Sequence, residues 1–278
     1  MKKIMIFSLL VASLLFAACD PIEDREKMTG SITADQIQAT VTVEQIDGQN
    51  VNKVSFKCSS PISCQWSNGI LTKAGSEGDM LMFIVGTQTV TLTGVCGDGS
   101  IVTKEFQVTV DKMHYDVDPV YGYLCGDGEK TWTWDDEVGG PWGNGSYLDN
   151  TTPGWWVLKL DELEGQASGK GYAGEGAGAT MTFVLNGLKL QKSSGKEGTF
   201  SFDMSKQTLN GGGEVWACGK LYTSGAGILL PVIINDETST GTFDILQVND
   251  DKLYLAAPRA STTGAGGEAT FWCFKAVK

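Results

Sequence analysis

A chain of 278 residues with 33 acids against 21 lysines and arginines carries a formal charge of −12, and no basic patch with interleaved aromatics interrupts that field. Such a chain repels polyphosphate, which sets nucleic acid aside as a partner. One histidine, no CxxC and seven cysteines leave no familiar spacing for a zinc site, while 36 glycines and few long helical patterns point to an all-β chain.

The chain opens on a processing signal. Lys2 and Lys3 form a positive n-region, and Ile4 to Phe16 form an apolar run broken only by Ser8 and Ser13. That run is too short to span a bilayer as a mature helix. It ends in LFAAC, with Ala17 and Ala18 before Cys19, and so resembles the lipobox of bacterial lipoproteins. The resemblance implies removal of residues 1–18, acylation of Cys19, and a lipid anchor holding the protein on the outer membrane, facing the exterior. Losing residues 1–18 takes away two lysines and no acids, moving the charge from −12 to −14. Residues 19–29 hold Cys19 and DPIEDREK, a polar stretch without periodicity that reads as a solvated tether. Its acids resemble the export signals of Bacteroidota surface lipoproteins.

Residues 30–112 read as a small β-sandwich. Ile37, Ala39, Val41 and Val43 alternate with polar neighbours, as do Val54, Phe56 and Cys58, then Val90 and Leu92, then Phe106, Val108 and Val110. Asp47-Gly48, Asn68-Gly69 and Asp98-Gly99 supply turns at short spacing. The stretches CQWSNGI, FIVGTQTVTLTGVCGDGS and KEFQVTV resemble a PKD-type immunoglobulin-like repeat. Trp66 and Gly69 match its Trp-x-x-Gly turn, Thr89 to Thr93 its TVTLTV-type strand, and Gly97 to Gly99 its following turn. Ser67 and Asn68 depart from the acids usual beside that tryptophan. The resemblance implies a spacer or interaction module without catalytic residues.

Residues 113–278 carry about nine strand candidates, near 131–135, 155–160, 179–185, 199–203, 214–222, 228–234, 242–248, 252–257 and 269–275, with no sustained helical period between them. A meander closing into a barrel, or a jelly-roll-like sandwich, fits this spacing. KTWTW, ATMTFVLNG, GTFSFDMS and FDILQVNDDKLYLAAP…FWCFKAV resemble the lipocalin-like β-domains of Bacteroidota surface lipoproteins. That resemblance implies a place in glycan utilisation, with outer-membrane transport proteins as possible partners. The cysteines divide three to each half, Cys58, Cys64 and Cys96 against Cys125, Cys218 and Cys273, and read as small buried hydrophobes with at most one disulfide per half.

Several motifs have plainer readings than chemistry. Gly169 to Gly174 matches G-x-G-x-x-G, but a dinucleotide fingerprint follows a buried strand and opens a helix; here it lies in a glycine-rich polar run and reads as a loop. Cys-Gly-Asp-Gly at 96–99 and 125–128 reads as two turns. Asp116, Asp118 and Asp127 depart from the spacing of an EF-hand calcium loop. Asp135, Asp136, Glu137, Glu162 and Glu164 are acids near the tryptophans without the pattern of a glycosidase strand, so no catalytic residue, metal or cofactor is expected.

The stretch from Lys130 to Trp156 holds five of the eight tryptophans. Trp132 and Trp134 share one strand face and are expected in the core. Trp155 and Trp156 are neighbours, so in a strand they face opposite ways. Between them runs a long segment, 135–154, expected to be a loop with Trp142 and Tyr147 amid Gly and Asn. Pyranose rings offer a C–H face to aromatics and hydroxyls to amides and acids. The expected function is polysaccharide binding without catalysis through Trp142, Asn144, Tyr147, Trp155 and Trp156. A lipocalin-type binder of a small apolar ligand and a protein–protein adhesion module are the alternatives.

Overall fold

Period-two alternation builds the first half as expected. In the computed structural model, which describes residues 30–278, strand β2 (Gln49–Cys58) buries Val54, Phe56 and Cys58 and exposes Ser55 and Lys57. The leader, Cys19 and the tether lie outside the described residues. Asp47 and Gly48 have φ of +53° and +77°, the two positive values a type I′ turn requires, so β1 (Ala39–Ile46) folds straight back as β2. Strands β3 (Ser63–Ser67), β4 (Thr72–Ala74), β5 (Glu77–Leu81), β6 (Gly86–Val95) and β7 (Ile101–Val110) complete two antiparallel sheets, ordered β1-β2-β5 and β4-β3-β6-β7. The sheets share a core centred on Trp66, which is fully buried and stacks on Phe56 at 4.7 Å. Cys58, Cys64 and Cys96 all lie in this core, and the six cysteines of the described residues are free thiols. Burial pushes the Cys64 thiol up to about 12, and the neighbouring Cys58 thiol adds to the rise.

The second half begins with a short helix, α1 (Val120–Cys125), which the sequence pattern does not announce. Its barrel strands are β8 (Glu129–Trp134), β11 (Thr180–Val184), β12 (Lys189–Lys192), β13 (Glu197–Asp203), β16 (Gly219–Gly225), β19 (Thr242–Val248), β20 (Lys252–Pro258) and β21 (Glu268–Ala276). Each pairs antiparallel with the next, and β21 returns to β8 through Phe274–Trp134 and Ala276–Trp132, closing an eight-stranded barrel. Its interior is full. Trp132, Trp134, Phe183, Phe200, Phe243, Trp272 and Phe274 are all buried there with Leu and Met between them, as eight strands leave a bore just wide enough for side chains. The space that a lipocalin-type apolar ligand takes is occupied by rings.

Three expectations are corrected. First, segment 135–154 is not only loop: Trp142–Ser146 is strand β9, laid along β21 beyond the point where β8 leaves it, and Trp156–Leu158 is β10, the outer edge strand paired to β9. Second, 228–234 is a plug rather than a strand. Ile228, Leu229 and Leu230 are fully buried, Leu230 has φ +45°, and only Val232–Ile233 (β17) pairs, with Thr238–Ser239 (β18). A run apolar on every side has no outward face, so it fills the barrel end instead of joining the wall. Third, 214–222 divides into β15 (Val215–Ala217), paired with β14 (Thr208–Leu209), and β16, with Cys218 between. A second short helix, α2 (Leu163–Gly169), fills the gap where β9 and β8 part.

The halves are tied together. Asn52 is fully buried; its Nδ2 donates to the Met82 and Tyr115 carbonyls, and its Oδ1 accepts from the His114 and Tyr115 amides. The Gly187 amide donates to the Gly69 carbonyl at 3.0 Å. Gly69 has φ +87°, and a Cβ there would stand 2.7 Å from Asn186 Oδ1, so this junction needs glycine. These contacts fall at one barrel end, with α1 and the Val184–Lys189 turn. Ser31 lies beside Asp98, at the outer tip of the β6–β7 hairpin. Ser31 therefore lies about 30 Å from the junction, a strand's length; the barrel's other end is here the far end.

Candidate functional site

The far end gathers the turn between β12 and β13, the segment Gly225–Thr242 that carries the plug and the β17–β18 hairpin, the start of β21 and the edge strands β9 and β10. Register fixes which side chains share a face there. Trp142 lies opposite Trp272 on one side and Leu158 on the other, and Asn144 lies opposite Thr270 and Trp156. Trp142, Asn144 and Trp156 thus project to the face that lines the barrel and Val157 to the other, while Trp155 lies just outside β10, its amide and that of Gly154 both donating to the Asn144 carbonyl. Trp156 is 40% exposed and Trp155 56%.

The other expected site residues are placed differently from one another. Trp142 is fully buried, with the Trp156 ring set edge-on at 5.8 Å and the Lys170 ammonium 6.0 Å from its centroid. Among the described residues its indole N–H has no hydrogen-bond partner, which leaves a donor unused at this face. Asn144 is buried and does structural duty. Its Oδ1 accepts from the Trp156 amide at 2.9 Å, its carbonyl accepts from the Gly154 and Trp155 amides, and its Nδ2 donates to Glu268 Oε1 at 2.6 Å. Asn144 therefore aims the tryptophan pair rather than presenting its own amide. Tyr147 sits on the barrel's outer wall, packed edge-on against Trp216 at 5.0 Å, and burial pushes its hydroxyl up to about 12.

Residues that the sequence pattern did not single out complete the surface. Glu268 Oε1 also accepts from Asn235 Nδ2 at 2.6 Å, and Arg259 Nε donates to Asp236 Oδ1 at 2.6 Å. The guanidinium holds the Asp236 carboxyl below the usual range. Asn235 and Glu237, at the turn of the β17–β18 hairpin, have φ of +67° and +52°, a strained pair that the surrounding bonds hold in place. From the opposite side Lys170 grips Glu237, and Tyr172 Oη and Ser239 Oγ lie 2.5 Å apart. The result is a half-exposed indole beside a fixed array of amide, carboxylate and guanidinium groups.

The acids around the tryptophans are occupied elsewhere. Glu164 accepts from Ser168 Oγ and from the Gly174 and Gly176 amides. The amides of the G-x-G-x-x-G region thus already hold a carboxylate. Glu162 caps the Lys159 amide. The carboxylates of Asp135, Asp136 and Glu137 come within 4.8 Å of one another, but Lys252 bonds Asp135 and Glu137 at 2.8 and 2.6 Å and Lys275 grips Asp136. Burial works to raise the Asp135 carboxyl, and bonds from Lys252 and the Tyr254 hydroxyl outweigh it, so its pKa lies below the usual value. Its folded value being the lower one, stability from Asp135 is present above the unfolded carboxyl pKa of about 3.9 and is lost as pH falls through the folded value. The melting temperature is expected to fall below about pH 4, and Asp135→Asn to flatten that fall; a parallel fall in the variant contradicts this.

The single histidine, His114, lies at the junction, in a cleft of about 430 Å³ with Phe83, Tyr115 and Tyr123. Its ring stacks edge-on against Tyr115, whose hydroxyl is bound to Glu44. No protein-family model matches this chain, and no curated protein matches it at a significant level.

Proposed function

We propose that this chain is a non-catalytic, lipid-anchored cell-surface protein that captures polysaccharide on the far end of its barrel, with an immunoglobulin-like first half as a spacer. The observation that carries the reading is Trp156. An indole 40% exposed stands on an edge strand whose Trp156 amide is held by Asn144, and Asn144 is bonded in turn to Glu268, which also takes Asn235 and Arg259. A sugar ring needs an aromatic face for its C–H surface and planar polar groups for its hydroxyls, and groups held in advance lose little entropy on binding.

Affinity electrophoresis against a panel of neutral and acidic polysaccharides tests this. The wild type is expected to be retarded by at least one of them. Trp156→Ala is expected to bind at least about tenfold more weakly, since an aromatic anchor contributes roughly 1.4 kcal/mol or more. Trp155→Ala, just outside β10, is expected to keep most of the retardation. Equal behaviour of both variants and the wild type sinks the assignment of Trp156. Separately, Cys19→Ala is expected to release the protein from membranes, and its continued retention there contradicts the anchor.

A further inference from the structure

A cavity of about 370 Å³ opens at the far end beside the β17–β18 hairpin, lined in part by Tyr172, Lys192, Lys196, Thr223, Ser239 and Thr240. We propose that this cavity binds the acid group of an acidic sugar, a uronate carboxylate or a sulfate ester, within the polysaccharide that Trp156 engages. The inference rests on the polysaccharide reading and names the class of sugar.

Charge is the first reason. The lining carries two lysines and no carboxylate, in a chain whose formal charge is −12. Behind it, Glu175 takes Lys192 at 2.8 and 3.0 Å, with both side chains buried. Lys196 stands further from Glu175, at 3.5 Å, is half-exposed, and is held 5.0 Å over the Tyr172 ring. Two ammonium groups against one carboxylate leave a local surplus of one positive charge, which a singly charged acid group offsets.

Room and an unused polar atom are the second and third. Thr223 Oγ1 is buried and has no hydrogen-bond partner among the described residues. Gly227 and Gly241 flank it: a Cβ on either would come within 3.4 and 3.6 Å of that oxygen. The two glycines put only bare backbone between the hydroxyl and the cavity that Thr223 lines, and a buried hydroxyl without a partner loses free energy that a ligand oxygen reaching past them restores. The volume falls at the lower end of ligand pockets, roughly 300–1,000 Å³. Glu237 and Ser239, two residues apart on one hairpin, bond Lys170, whose ammonium lies 6.0 Å from the Trp142 ring, and Tyr172, which lines the cavity. A polysaccharide crossing that hairpin reaches both.

The test compares binding of three soluble oligosaccharide sets to the full chain: galacturonate oligomers, sulfated galactan oligomers and neutral galactan oligomers. At least one acidic set is expected to bind at least tenfold more tightly than the neutral set, and which one does identifies the acid. Lys196→Gln is expected to remove that preference without weakening neutral binding, and Thr223→Val to reduce it. Lys189→Gln, an exposed lysine at the junction end, serves as the control and is expected to change nothing. Unaltered melting temperatures show that the variants fold. If acidic and neutral sets bind alike, or Lys196→Gln weakens both equally, the inference falls while the Trp156 reading stands. If acidic sets bind through Lys196 but Trp156→Ala has no effect, the inference stands and the platform reading falls. Binding of none of the three overturns the inference.

Discussion

Replacing Glu175 with alanine is expected to lower the unfolding free energy by about 3–5 kcal/mol, the cost of leaving one partner of a buried ion pair unpaired. Glu175 and Lys192 are both buried at the barrel's far end, and Glu175 Oε2 also accepts the Leu230 amide of the plug at 2.8 Å. Its loss strands an ammonium and an amide at once. Burial already lowers the Lys192 pKa, against the pull of Glu175. A lysine whose folded pKa lies below its unfolded value costs stability when protonated, so the variant is expected to regain stability as pH rises toward 10.4, the unfolded value. Glu175→Leu with Lys192→Met removes both charges and is expected to recover most of the loss. Urea unfolding followed by circular dichroism checks all three. A Glu175→Ala midpoint equal to that of the wild type contradicts the pin.

Gly143→Ala is expected to cost about 1–3 kcal/mol, the range of overpacking, and to abolish glycan binding even where the barrel remains folded. A Cβ at Gly143 would lie 2.1 Å from the Trp156 carbonyl oxygen and 2.9 Å from Pro153 Cβ. Backbone cannot move aside there without breaking the β9–β10 ladder, and β10 carries Trp156. Gly139→Ala meets nothing within 4 Å and is expected to stay within about 0.5 kcal/mol of the wild type. Binding retained in Gly143→Ala at wild-type strength removes β10 from the site.

That glycine shows why part of the site was hidden in the sequence. WGNGS looks like a turn, because glycine and asparagine dominate it; in the fold those glycines let β10 and Asn150 approach β9 closely. Alternation was readable where one face met a core and the other met water, as in Val54, Phe56 and Cys58. It failed for ILLPVII at 228–234, where burial on all sides erases the period. The polar array was beyond reach for a different reason: Asn144 and Glu268 lie 124 positions apart, and Glu175 meets Lys192 only once β12 has folded back along β11. An isolated glutamate in a glycine-rich run, with a lysine ending a strand that expectation omitted, gave the one local sign of the pin.

Peptide-resolved hydrogen exchange of the full chain, with and without a pool of neutral and acidic oligosaccharides, locates the binding surface without reference to any one variant. Added protection is expected in 142–158, 168–176 and 223–241, with residues 30–112 unchanged. Protection confined to the junction cleft around 113–127, or no change anywhere in the chain, contradicts it.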